Sequence, residues 1–294
     1  MTKMKKGAKE MIEVNEIDMT EITFHIVGTA PLIMNRFSQK AWQQLLLPPQ
    51  SVNRAEREQT LKHNPVEEFR GAVYKNRDHK RPSLLHIPNG MFHKAIASAA
   101  LDIPGATKAK IERLTKIPDV NIDLYGLPRL FCAMVRNSDM NRTPDVRTRP
   151  IFEQWACSMN VRYVTGILTE RTIANLLGAA GKIVGIGDWR GEKGGPYGAF
   201  RIAPEGDKEF GLIVKTMARK AQEKALASPV CYDPDTEELL GWFEAEVARR
   251  ERTKQLGAGA DRGRRKVGTR GGNGAVKAPA RRKNGDLAKV IAAA

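Results

Sequence analysis

Hydrophobic and polar positions alternate most regularly over residues 153–163. Trp155, Cys157, Met159, Val161 and Tyr163 fall on one side and Gln154, Ser158, Asn160 and Arg162 on the other. A period of two of this kind predicts a strand with one buried face. Residues 21–27 repeat the pattern, with Ile22, Phe24 and Ile26 opposite Thr23, His25 and Val27, until Gly28 and Pro31 end it. Shorter apolar runs predict strands over 84–87, 120–124 and 129–136. Gly126, Leu127 and Pro128 are read as the turn of a hairpin between the last two. The period lengthens to 3.6 after Thr169, a helix-capping residue, where Ile173, Leu176, Leu177 and Ala180 line one face of a helix reaching Val184. A second helix over 91–101 opens at Pro88, Asn89 and Gly90 and turns Met91, Ile96, Ala99 and Ala100 inward. Further helices are predicted within 32–47, over 108–116 behind Thr107, over 217–226 and over 237–256. Strands over 199–203 and 210–215 are expected to pair across the turn 204–207.

Between these elements lie stretches without a core-forming period. Residues 48–83 are polar and highly charged, ending in the basic turn Lys75-Asn-Arg-Asp-His-Lys-Arg81, and read as a surface insertion. Residues 137–150 hold Arg142, Arg147 and Arg149 behind Arg136, with two prolines, and are expected to form an exposed basic finger. Residues 1–18 are read as a flexible lead-in. The body spans 19–248, and 249–294 hold the end of the last helix and a Gly-, Arg- and Lys-rich tail, disordered beyond Gly257.

The densest candidate chemistry sits between the helix ending at Val184 and the strand starting near Ala199. Six glycines fall between Gly185 and Gly198, interleaved with Trp189, Arg190, Lys193 and Tyr197. Glycine permits close backbone approach to a ligand, loop amides hold phosphate oxygens, cations add charge, and aromatic rings offer stacking faces. Gly185 to Arg190 lack the third glycine of a dinucleotide fingerprint, and no Gly-Lys-Ser/Thr triplet follows a glycine run. The nucleic-acid-binding set is therefore Gly187, Trp189, Arg190, Lys193, Tyr197 and Arg201 from the loop and its strand. Asn89, His93 and Lys94 join them from a helix start where amides point outward, and Arg136, Arg142, Arg147 and Arg149 from the finger.

Charge sharpens this reading. The net charge is +16, and fourteen Lys and Arg against three Asp and Glu place +11 of it beyond residue 248. A cationic tail on a mildly basic body suits a polyanionic partner. Cys132, Cys157 and Cys231 are too scattered for a zinc site or a disulfide framework and suit a reducing, cytoplasmic setting. No run of eighteen apolar residues occurs, so no membrane span is expected, and the basic N-terminus has no apolar core of a secretory signal. No cofactor or metal motif is recognisable. His25, His86 and His93 are the candidates for a general base in a nuclease, but none sits in an acid–base pair along the chain.

The order strand, helix, hairpin, helix, strand is that of an α+β, ferredoxin-like (RRM-like) βαββαβ unit. Three stretches resemble the RAMP superfamily: residues 22–32, ITFHIVGTAPL, ending a strand in Pro-Leu; residues 85–100, LHIPNGMFHKAIASAA, opening a helix; and the glycine-rich loop with Tyr197-Gly-Ala-Phe-Arg201. Met91-Phe92-His93-Lys94 stands where that superfamily has Ser-Leu-Lys-Gly, and Ala199 stands where a second glycine is common. The finger resembles the thumb of backbone subunits of CRISPR effector complexes, and the GIGDWR…YGAF stretch resembles phage proteins. The resemblance implies a non-catalytic protein that binds single-stranded RNA or DNA and self-associates along the strand. A phage assembly protein with a DNA-binding tail and an endoribonuclease are the alternatives.

Overall fold

The computed structural model describes residues 16–37, 46, 63–136 and 144–265. The N-terminal lead-in to residue 15, most of the helix expected within 32–47, the start of the charged insertion, Arg142 and the tail beyond 265 lie outside the described residues. The chain divides into two compact units between Gly241 and Trp242.

The first unit is a mixed α+β structure. Its seven-stranded sheet follows the order β3-β5-β6-β1-β7, with β2 and β4 also on β6. The strands are β1 (Met19–Gly28), β2 (Leu32–Ile33), β3 (Leu85–Pro88), β4 (Thr115–Lys116), β5 (Asn121–Arg136), β6 (Pro144–Val164) and β7 (Phe200–Ala203). All pairings are antiparallel. The helices are α1 (Pro65–Gly71), α2 (Asn89–Ala99), α3 (Lys108–Leu114), α4 (Glu170–Ala179), α5 (Lys208–Thr216), α6 (Arg219–Ala227) and α7 (Pro234–Arg265). Helix α7 crosses the division between the units.

The strand of clearest alternation is the centre of β6. Trp155, Cys157, Met159, Val161 and Tyr163 are buried together with Ile173, Leu176 and Leu177 of α4 and Phe92 and Ile96 of α2. Trp155 is fully buried, and its indole N–H donates to the Ala30 carbonyl at 2.9 Å. A side chain on Gly28 would overlap that indole, which is why the strand ending must be small there. Thr169 caps α4 through the amide of Thr172, as the sequence predicts.

Three expectations are corrected. Residues 208–216 form helix α5, not a strand. Asp207 accepts from the Phe210 amide at 2.9 Å and starts the helix, and Ile213 then packs with Val27, Ala156 and Ala203 on the sheet face opposite α2 and α4. Gly126, Leu127 and Pro128 are not a turn. They lie in one continuous strand at a bulge, where Pro128 forfeits no ladder bond and the Gly126 amide leaves the ladder for the Met217 carbonyl. The basic finger is shorter than expected. Residues Pro144 to Pro150 pair with β5 from Arg136 to Leu130, so Arg147 and Arg149 stand on a two-stranded ribbon opposite Ala133 and Phe131. In the second unit, α7 continues past Leu256 to Arg265 because Ala and Arg between its glycines are good helix formers.

Candidate functional site

The glycine-rich loop joins α4 to β7. Helix α4 widens into a π turn over Ala180–Val184, and the Gly185 amide closes it onto the Ala180 carbonyl at 2.8 Å. The chain then folds back on itself and onto β2. At Gly187 (φ 82°) a Cβ would stand 2.6 Å from the Ile33 carbonyl oxygen, and at Gly198 (φ 74°) it would overlap the Ile186 carbonyl. Left-handed backbone and absent space together require glycine at both.

The same close packing engages several of the loop amides. Those of Ile186, Asp188, Gly195 and Gly198 donate to the carbonyls of Gly198, Ile33, Arg190 and Pro31. With these amides engaged inside the loop, its exposed side chains are a main part of what it offers a ligand.

Trp189 is the one non-glycine residue with positive φ among the described residues, at 49°. A bulky residue there is strained by about 1 kcal/mol or more. The indole is half-exposed, with 49% of the residue open to solvent. Its ring lies 5.6 Å from Tyr197, Tyr197 lies 6.4 Å from Phe131 on β5, and Phe131 meets Tyr232 edge-on at 5.5 Å. Tyr232 is held there because residues 230–232 run beside β5. The Leu130 amide donates to the Val230 carbonyl at 2.9 Å and the Tyr232 amide to the Leu130 carbonyl at 2.8 Å. The result is a row of four partly exposed rings from the loop, across β5, to the segment before α7. Burial pushes the Tyr197 hydroxyl above its ordinary pKa, with Tyr232 and Asp233 adding to the rise.

The cations differ in where they stand and in what holds them. Arg149 pairs with Asp188 and is mostly buried, with its Nε lacking a partner. Burial lowers its pKa, and Asp188 opposes the drop. Asn35 also reaches Asp188, at 3.4 Å. Arg190 pairs with Glu192 and reaches the Gly187 carbonyl at 3.4 Å. Lys193 is exposed, and among the described residues no ion pair holds it. Arg147 is exposed on the ribbon, and Arg136 ends β5 opposite Pro144. Arg201 is turned away from this group. It pairs with Asp207 at 2.8 Å and Glu209 at 2.7 Å, and the hydrogen bonds it donates to those carboxylates raise its pKa.

The start of α2 is a separate place. Asn89 donates its side-chain amide to the Ile117 carbonyl at 2.9 Å, and the His93 ring bonds the Thr115 carbonyl at 3.1 Å. Lys94 is exposed. The loop meets α2 through Glu192 and Ser98, nine residues beyond Asn89 and so about 13 Å along the helix. Asn89 and His93 are thus structural ties of α2, and Trp189, Arg190, Lys193 and Tyr197 form the loop cluster.

Sequence reasoning missed Phe131 and Tyr232, whose place in the row depends on tertiary pairing, and the partners Asp188 and Asn35. It also passed over His63, whose ring nitrogens contact Glu68 at 2.6 Å and Asp145 at 3.0 Å and tie α1 to β6. His25 is engaged by Ser158 at 2.9 Å and packs on Phe210. Among the described residues no group of three or more His, Cys, Asp and Glu side chains is arranged to hold a metal ion. Nor is any helix among them long and apolar enough to cross a membrane. No protein-family model matches the chain, and no curated protein matches it.

Proposed function

We propose that this protein is a non-catalytic, single-stranded nucleic-acid-binding protein of the RAMP type, acting in the cytoplasm as a repeated subunit along an RNA or DNA strand. The observation that carries the reading is the row Trp189, Tyr197, Phe131 and Tyr232, partly exposed and flanked by Arg147, Arg190 and Lys193. Successive bases stack on such rings without regard to sequence, while nearby cations follow the phosphates. The order β5-β6-β1-β7, with α2 between β1 and β5 and α4 between β6 and β7, supports a ferredoxin-like core. Helix α5 covers part of the sheet face that a bare RRM-like domain would offer, which favours contact at the loop and ribbon.

The test is binding of fluorescent single-stranded RNA, single-stranded DNA and duplex DNA across a salt series, with the mass of the complex followed by light scattering. Single strands should bind more tightly than duplex, and the mass should grow with strand length. Trp189→Ala and Tyr197→Ala should each weaken binding by about 1–3 kcal/mol, the worth of one stacked base. The second reading is a phage assembly protein that holds DNA through its basic tail, favoured by the concentration of charge beyond residue 248. It takes over if removal of residues 266–294 abolishes binding and the ring substitutions change nothing.

A further inference from the structure

The basic turn at 75–81 is not a simple solvated protrusion. Residues 74–76 lie along β3, with the Asn76 amide donating to the Leu84 carbonyl at 2.7 Å and the His86 amide to the Tyr74 carbonyl at 3.0 Å. Arg219 of α6 pins the rest of the turn through the carbonyls of Asp78 (2.7 Å), Arg81 (2.8 Å) and Ser83 (3.2 Å). The buried Asn76 side chain donates to the Ser83 carbonyl at 3.0 Å and to Asp123 at 2.7 Å. So framed, the turn walls a cleft of about 600 Å³.

The lining is strongly one-signed. Arg36, Lys75, Arg77 and Arg81 face it, against Asp78 as the single acid. Arg81 is committed to Asp123 at 3.1 Å and to the Asn121 carbonyl at 2.8 Å. Arg36, Lys75 and Arg77 have no ion pair among the described residues. His86 lines the same cleft, is nine-tenths buried, and its Nδ1 has no hydrogen-bond partner. The crowding registers in the protonation equilibria. Burial, then Arg36 and Arg70, lower Lys75, while burial, then Arg81 and Arg36, bring His86 down to about 4. Like charges held together on a braced wall, beside a buried and unsatisfied ring nitrogen, are complementary to an oxyanion.

We propose that this cleft binds a phosphate group carried by a nucleotide-sized molecule, with Arg36, Lys75 and Arg77 holding the phosphate and His86 in its wall. The volume lies within the range of small-molecule sites. The phosphate could come from a free nucleotide or from the terminal phosphate of a strand. The site stands apart from the aromatic row, so its test does not depend on the strand-binding reading.

The experiment uses the full chain. Adenosine monophosphate, inorganic phosphate, adenosine, and 5′-phosphorylated and 5′-hydroxyl oligonucleotides are titrated by calorimetry. The His86 imidazole is followed by NMR, its resonance assigned with His86→Gln. A phosphate probe should move the His86 signal and raise its pKa from about 4, because a neighbouring anion favours the protonated ring. Adenosine should do neither. Lys75→Ala and Arg77→Ala should each weaken phosphate binding about tenfold, and Lys110→Ala on α3 and Trp189→Ala should leave it unchanged. Binding of the mononucleotide identifies a free ligand as the source, and binding of the 5′-phosphorylated strand alone identifies a strand end. An unmoved His86 signal with every phosphate probe overturns the proposal. So does phosphate binding that survives the Lys75→Ala/Arg77→Ala double variant, with both proteins shown folded by their melting curves.

Discussion

Gln222 is fully buried, yet every polar contact its amide can make is made. Its Oε1 accepts from the Leu84 amide at 2.9 Å, the Leu85 amide at 3.3 Å and the Ser83 hydroxyl at 3.1 Å. Its Nε2 donates to the carbonyls of Leu124 (2.7 Å), Met217 (3.1 Å) and Gly126 (3.3 Å). One side chain on α6 therefore ties β3, the bulge of β5 and the end of α5. Gln222→Met keeps the length and flexibility of the side chain and removes only the polar atoms. Several of the six groups keep a second partner. Ser83 Oγ still serves the Leu85 amide, and the Gly126 amide still serves the Met217 carbonyl. The Leu84 amide loses its bond outright. An orphaned buried donor costs about 1–3 kcal/mol and each further lost bond about 1 kcal/mol, so the substitution should cost about 3 kcal/mol. For a unit of this size that is a fall of roughly 6–12 °C in melting temperature, read by differential scanning calorimetry. Because Arg219 on the same helix seats the 75–81 turn, phosphate affinity should fall with it. A change below about 2 °C would refute the view that α6 is anchored by its amide rather than by its apolar contacts.

Gly198→Ala forces a side chain into left-handed backbone and against the Ile186 carbonyl. It should destabilise the first unit by about 2 kcal/mol or more and weaken strand binding, checked by urea denaturation and by the oligonucleotide assay. Asp188→Asn leaves Arg149 without its carboxylate partner. Asp188 is a third exposed, so a loss of about 2 kcal/mol is expected in the same denaturation assay, less than for a fully buried pair. His86 in the folded chain titrates near 4, below its ordinary 6.5, so the unfolded chain binds a proton between those values that the folded chain refuses. Stability should be full above pH 6.5 and fall by up to about 3 kcal/mol toward pH 4, and His86→Phe should flatten that part of the profile of stability against pH.

What could be read along the chain was what neighbours in sequence decide. The buried face of β6 follows from strict alternation through Trp155 and Tyr163, and α4 follows from Thr169 and a 3.6 period. Residues 210–215 alternate too weakly to separate strand from helix. There the Asp207 cap decides, and Ile213 finds its partners on Val27 and Ala203, far away in sequence. Pro128 reads as a breaker because its missing N–H is visible and the bulge that accommodates it is not. The site divides in the same way. Trp189 and Tyr197 announce themselves within one loop, but Phe131 and Tyr232 join them only once residues 230–232 dock on β5. Charge is the most deceptive signal: Arg149 and Arg201 look available in sequence, and both are spent on carboxylates.

The sheet ends on two short strands, and neither end invites another. Residues 74–76 lie against β3 on one side, and on the other β7 is four residues long and is followed at once by Pro204. Short edges and proline are how sheets resist growing by strand addition. If copies of this protein line up along a nucleic acid, the seam between them is therefore made of side chains and loops. Each subunit then stays a separable unit whose spacing the bound strand helps to set, and stripping away the strand should release monomers rather than leave a fibre.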